Sequence, residues 1–398
     1  MSTITTAAVV ESAGAGFTLS QVELADLRPD EVLVRMVAAG ICHTDLSVAQ
    51  GALPFPMPGV LGHEGAGVVE AVGASVTRVR PGDEVLLSYT SCGRCASCHD
   101  GHPAYCETWL PANLIGGRRL DGSATIARGG HDVGGHFFGQ SSFAHHAIAD
   151  ERGVVKVGPG APLDLLAPLG CGVMTGAGAV WNVLHPRPGS TLLITGAGAV
   201  GLSAVMAATM TPATRIIVAD RVEDRLRLAR ELGATDTIDT TVTDLAGEVS
   251  RLTGDRGVDG AVESTGNAGV LRTAISTLAV RGTAVIVGAP AFGTEVPVDV
   301  NFMIPGRHVV GLTLGDTEIE ALVPVLAGLM AAGRLPVDRL ITHYRFDEIA
   351  AAVEDVAAGK TIKPVLRFDQ PDRRSPPARS DARRPEPMSP RRGTGPTS

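Results

Sequence analysis

The sequence predicts an α/β protein: a doubly wound parallel sheet joined to a β-rich, barrel-like domain. Three observations carry that reading. TLLITGAGAVG at 191–201 reads as a buried strand, a tight glycine turn and a helix start, and Asp220 closes the next apolar run, RIIVAD, nineteen residues on. From about Pro168 apolar strand-like runs alternate with helical periods, whereas the preceding part of the chain holds short strands closed by Gly and Pro. Four of the six cysteines fall within fifteen residues.

The β-rich part begins with EVLVRMVAAG, which alternates from Val32. GAGVVEAVG follows at Gly65, and VRPGDEVLLS turns at Pro81 and Gly82 into another strand. In the second part the pattern predicts strands at 191–195, 215–219, 235–239, 258–263, 283–288 and 309–314, with helices between most of them. One is RVEDRLRLAREL at 221–232, whose apolar positions Val222, Leu226, Leu228, Ala229 and Leu232 recur at helical spacing before Gly233 stops it. Beyond Gly315, amphipathic helices near 319–332 and 346–358 and a last strand, KPVLRF, are expected to return to the first domain. The division is therefore 1–167 with 315–369, 168–314, and a Pro- and Arg-rich end at 370–398 too poor in apolar residues to order itself.

At the glycine turn, Gly196, Gly198 and Gly201 let backbone approach a pyrophosphate at the positive end of a helix, because glycine places no Cβ in the way. The Asp220 carboxylate can accept hydrogen bonds from the adenosine ribose hydroxyls. It would repel a 2′-phosphate, so NAD is favoured over NADP.

A formal net charge of -8 gives no electrostatic footprint for nucleic acid or an anionic membrane. The first residues lack the basic and apolar regions of a signal peptide, and the apolar runs fall short of the roughly 20 residues a bilayer requires. A cytoplasmic protein is expected.

Cys92, Cys95, Cys98 and Cys106 follow the spacing C-x2-C-x2-C-x7-C in SCGRCASCHDGHPAYC. Four thiolates on a short loop can close a tetrahedron around zinc, and a site without an open position is structural. An iron-sulfur centre and unligated thiols are the alternatives; His99 and His102 read as surface residues. Cys42 and Cys171 remain, with His63 in GVLGHEGAGVV. Two cysteines and one histidine would leave a tetrahedral zinc one open position, as a Lewis acid needs. A histidine alone is more often a packed core residue, but the flanking glycines and Glu64 shift the balance.

In order, GICHTDL, GHEGAG, the four-cysteine lobe, GCGVMTGAGAV and TGAGAVG resemble the zinc-dependent medium-chain alcohol dehydrogenase family over residues 5–368. HFFGQSSFA at 136–144 and the insertion around GRRLDGS further resemble its aryl- and benzyl-alcohol branch. The resemblance implies a Rossmann cofactor domain and a GroES-like catalytic domain. It implies that Cys42, His63 and Cys171 hold a catalytic zinc, with Glu64 behind the metal as an occasional ligand and Asp45 hydrogen-bonded to His63. Thr44 would accept the proton of the alcohol. His43 and Lys363 would face the pyrophosphate, Asp220 the ribose, and Thr175 and Val200 the nicotinamide; Arg225 joins the cofactor set. Relatives often carry a histidine where Ser47 stands, so proton exit must run through water, the ribose or another group.

By position, Tyr89, Phe137 and Phe138 would line the substrate cleft and suit a flat apolar alcohol such as a benzyl or allylic one. The plainer reading makes Phe138 and Phe143 core residues of a strand, and is preferred for Phe143. The expected cofactors are two zinc ions and NAD, the partner a small alcohol or aldehyde. A thiol-dependent formaldehyde dehydrogenase and a noncatalytic NAD-binding protein are the alternatives. A homodimer or homotetramer, joined at an edge strand near 283–288, is implied by the resemblance.

Overall fold

In the computed structural model, which describes residues 3–369, the parallel sheet is built as the sequence predicts. Its strands are Thr191–Thr195, Arg215–Asp220, Asp236–Asp239, Val258–Glu263, Leu278–Ile286 and His308–Gly311, in the spatial order third, second, first, fourth, fifth, sixth. The order reverses beside the first strand. In doubly wound sheets that reversal opens the ligand crevice, and the glycine turn lies there.

Side chains alternate across the sheet. Leu192, Ile194, Ile216 and Val218 enter a core that continues into the β-rich part, whereas Leu193, Ile217, Ala219 and Ile238 enter a separate core under the helices Leu245–Thr253 and Ala268–Ser276. The larger core is shared, and the chain through Phe368 forms one contact unit.

The β-rich part holds two sheets. The central strand of the larger one, Glu31–Gly40, pairs antiparallel with Glu64–Val72 from Val32↔Val72 to Gly40↔Glu64. Its other edge is shared by His146–Asp150 and by the last strand, Lys363–Arg367, so the chain returns to the first domain. The smaller sheet joins Thr3–Val10 and Thr18–Leu24 to the hairpin Ile126–Arg128 and His131–Val133 that follows the GRRLDGS insertion.

Several boundaries differ from expectation for local reasons. The helix predicted from 221 starts at Glu223, because the Asp220 carboxylate accepts the N–H groups of Arg221 and Val222 and holds them in a turn. A register shift between Val258 and Gly260 lets the fifth strand begin at Leu278. The sixth strand ends at Gly311, and Leu314 and Gly315 follow with φ of 49° and 81°. That strand, not 283–286, is the sheet edge: Thr283–Ile286 are paired on both sides. The expected disordered end at 370–398 lies outside the described residues. Among the described residues no single helix is long and apolar enough to cross a membrane.

Candidate active site

Asp45 organises the first donor set. It sits in the first turn of the helix His43–Ala49, where its carboxylate accepts the N–H groups of Cys42 (2.8 Å) and Gly62 (3.0 Å). These bonds cap the helix and tie it to the segment before His63. Asp45 Oδ1 also lies 3.0 Å from His63 Nδ1. With that nitrogen engaged, His63 Nε2 is buried and has no hydrogen-bond partner among the described residues.

The Nε2 environment is suited to a cation. Ligand atoms of Cys42, His63, Glu64 and Cys171 all lie within 4.8 Å of one another. A hydrogen bond from Cys171 draws the Cys42 thiol well below its usual range against the effect of burial, and the same contact pushes Cys171 up. Burial lowers the His63 pKa, but Asp45 and Cys42 outweigh it and raise the value to about 10. Such donors compete for positive charge, and an ion can replace the shared protons.

Cys171 enters from across the molecule. It precedes the helix Gly172–Gly178, which lies tight against the cofactor-turn helix Ala199–Thr209: a Cβ on Gly176 would fall 2.2 Å from the Val200 carbonyl oxygen. A Cβ on Gly172 would stand 3.4 Å from Glu64 Oε1 and 3.8 Å from Val200 Cγ2. Metal donors and cofactor turn thus meet at this helix. Thr175 there donates to the Cys171 carbonyl at 2.8 Å.

The turn itself needs its glycines. Gly196 has a φ of 91°, and a Cβ on Gly201 would lie 1.8 Å from the Gly196 carbonyl oxygen, whereas nothing stands within 4 Å of a Cβ on Gly198. Asp220 reaches the turn by accepting the Ala197 N–H at 2.6 Å. His43 is exposed at the start of its helix, and Thr44 Oγ1 stands 3.9 Å from Cys42 Sγ. Arg225 is half-buried, and its Nε has no partner among the described residues.

Lys363 requires a correction. Its ammonium donates to both Glu64 carboxylate oxygens at 2.9 Å and to the Ile41 carbonyl at 3.1 Å. It is buried, and all three donors are engaged, so it lies behind the donor set as the counter-charge of Glu64 and does not offer a free ammonium to a pyrophosphate. Burial raises the Glu64 carboxyl, Lys363 opposes that, and the carboxylate in turn holds the lysine protonated.

The strand expected to hold Phe138 and Phe143 is not formed. Phe137 and Phe138 form a 3-10 turn, Phe137–Gly139, and no strand. Phe138 stacks on the His63 ring with centroids 4.3 Å apart, and Phe137 meets the same ring edge-on at 5.4 Å. Phe143 is core, as preferred, but in a bend. The buried Tyr89 donates its hydroxyl hydrogen to the Thr317 carbonyl. Three neighbours escaped the sequence reading. Gln140 donates to the carbonyls of His63 and Ser88 and accepts the Gly65 N–H. Trp109 lies edge-on to Phe138 at 5.6 Å, and Phe55 to Phe137 at 5.2 Å. Only the glycines crowding Phe55 and Pro56 could have signalled the last: Gly59, Gly117 and Gly134 each leave no room for a Cβ there.

In the cysteine lobe, the sulfurs of Cys92, Cys95, Cys98 and Cys106 lie within 4.8 Å of one another, and Cys106 accepts the Cys92 N–H. Backbone N–H groups draw the Cys95 thiol down to about 6. His99 and His102 are exposed, the latter paired with Asp316 at 2.6 Å.

A reversing parallel sheet joined through one helix to a buried Cys-His-Cys set, with Glu64 beside it, is the arrangement of a dinucleotide- and metal-dependent oxidoreductase. Comparison with known proteins makes the class narrower. Residues 28–159 match the alcohol dehydrogenase GroES-like domain and residues 199–328 the zinc-binding dehydrogenase domain. The geraniol dehydrogenase of Castellaniella defragrans is 43% identical over 364 residues, covering 91% of this chain and 97% of that protein. Benzyl alcohol dehydrogenase from Acinetobacter calcoaceticus superposes with a TM-score of 0.88 at 42% identity, over 92% of this chain and all of the other. A zinc-binding-domain alcohol dehydrogenase from Burkholderia ambifaria gives 0.89 at 47%, covering 93% of this chain and 100% of that one. The chain belongs to the zinc-dependent medium-chain alcohol dehydrogenase family, with its GroES-like and Rossmann-like domains.

Proposed function

We propose that this chain interconverts aromatic or allylic primary alcohols and their aldehydes with NAD as hydride carrier. One zinc would be held catalytically by Cys42, His63 and Cys171, and a second structurally by the four-cysteine lobe. We assign 168–314 to the cofactor, and 1–167 with 315–369 to metal and substrate. The carrying observation is the unpartnered, buried His63 Nε2, facing two cysteine sulfurs and walled by aromatic rings. When bound, a Lewis-acidic zinc lowers the pKa of the substrate hydroxyl and the nicotinamide receives the hydride.

The protein's residues do the rest. Asp45 fixes the His63 ring so that Nε2 faces the donor set. Thr44, half-buried beside Cys42, takes the hydroxyl proton and passes it toward solvent. Glu64, held by Lys363 and the Gly172 N–H, supplies negative charge behind the donors. The glycine turn leaves the Gly198 position open for the pyrophosphate, and Asp220 selects a ribose without a 2′-phosphate. Phe137, Phe138 and Tyr89 are the aromatic groups we place at the substrate; the names of the geraniol and benzyl alcohol relatives support a planar unsaturated alcohol.

A panel of benzyl alcohol, geraniol, ethanol and formaldehyde with a cellular thiol, each assayed with NAD and NADP, tests this. The planar alcohols with NAD are expected to give the highest kcat/KM. Turnover confined to formaldehyde plus thiol would replace the reading.

A further inference from the structure

The HFFGQSS turn has the geometry of a clamp. Phe138 has φ 50° and ψ 35°, in the left-handed region that a bulky side chain rarely occupies. Ser141, three residues on, is also left-handed at 49°. Something must over-determine these conformations, and the hydrogen bonds show what does. Ser141 Oγ accepts the Phe137 N–H at 3.0 Å and donates to the Val60 carbonyl at 2.7 Å, closing the turn onto the strand before His63. Gln140 grips the same segment twice: Nε2 donates to the His63 carbonyl at 3.0 Å, as well as to that of Ser88 at 2.9 Å, and Oε1 accepts the Gly65 N–H at 3.1 Å.

The backbone of residues 60–65 and the turn are thus bolted together. The strained residue between the bolts lays its ring on the His63 imidazole, 4.3 Å away and tilted by 23°. A single hydrogen bond to Asp45 anchors Nδ1 but still lets the ring rock by rotation about its Cβ–Cγ bond. The stacked Phe138 face and the Phe137 edge at 83° close off that rotation.

We infer that Phe138 is a positioning residue of the metal site: strained into a left-handed turn, its ring fixes the tilt of His63 and so the aim of Nε2. The inference rests on the reading that Cys42, His63 and Cys171 hold zinc. Partners that orient a metal-binding histidine typically account for about 10- to 100-fold in metal affinity or activity, and a stacked ring belongs at the lower end.

The test compares wild type with Phe138→Leu, which keeps an apolar group but loses the flat face, and Phe138→Tyr, which keeps it. Zinc release into a colorimetric chelator is followed in time, and the ligand-field bands of the cobalt-substituted proteins are recorded. In Phe138→Leu the faster-released zinc is expected to leave about tenfold sooner, with shifted cobalt bands, while Phe138→Tyr behaves as wild type. Should Phe138→Leu fail to fold, Phe138→Met, whose unbranched side chain adapts to the space, takes its place. Wild-type release kinetics and bands in the folded variant, whatever its Tm, would overturn the inference and leave the proposed function standing. Wild-type protein binding a single zinc, in the cysteine lobe, would overturn both.

Discussion

Asp45 carries more of the site than any other single side chain, because one carboxylate caps a helix, ties down Gly62 and holds His63. Asp45→Asn keeps the shape but can offer only one acceptor oxygen. Zinc affinity is expected to fall about 10- to 100-fold, read by metal content after dialysis against a chelator. His136 makes a second prediction, of opposite character. Burial pushes its pKa down from 6.5 to about 4, with Glu31 opposing and Arg119 and Arg28 assisting, and its Nδ1 has no partner among the described residues. Between those two values the unfolded chain binds the extra proton, so stability falls as pH drops through the window and levels off below it. The full loss is on the order of 3 kcal/mol. Urea midpoints from pH 7 to 4 should show a slope that His136→Leu reduces; equal slopes would remove the assignment. At the cofactor turn, Asp220→Ser is expected to narrow the preference for NAD over NADP at least tenfold, the equivalent of about 1.4 kcal/mol, as read from kcat/KM.

At the scale of elements, the contact between the helices Gly172–Gly178 and Ala199–Thr209 joins the two chemistries. Gly176→Ala drives a methyl group into the Val200 carbonyl, and overpacking of this kind costs about 1–3 kcal/mol. Calorimetry should show a lower Tm and cofactor titration a weaker Kd, because Val200 moves with its helix. Elements of this kind were largely legible in the sequence. The parallel strands announce themselves as short aliphatic runs between helical periods, and the glycine turn and cysteine lobe by spacing alone. Boundaries slipped where side chains intervene, as at Asp220, or where a register shift lets a strand start early, as at Leu278. Phe138 shows a deeper limit: a left-handed phenylalanine has no local signature, since the forces that hold it come from Gln140 and Ser141 bonding to residues some eighty positions away.

Across the whole molecule, the least legible fact is the Glu64–Lys363 pair, whose members lie 299 residues apart. Nothing local to TIKPVLRF says that its lysine is buried behind the Cys-His-Cys donor set; only the pairing of the strand Lys363–Arg367 with Glu31–Gly40 puts it there. Removing one partner of a buried ion pair is worth about 3–5 kcal/mol of destabilisation, because the other charge is stranded. Lys363→Met is expected to show that loss in chemical denaturation, and a second change, Glu64→Gln, to recover part of it. The separation also has a consequence for how the enzyme is born. Cys42, His63 and Glu64 leave the ribosome first, then Cys171, and the lysine only 299 residues after Glu64. Until then the acidic group has water for its counter-charge, and the strand slot beside Gly40 is empty. A nascent chain can hold most of the makings of the site and still be unable to close it until that lysine emerges.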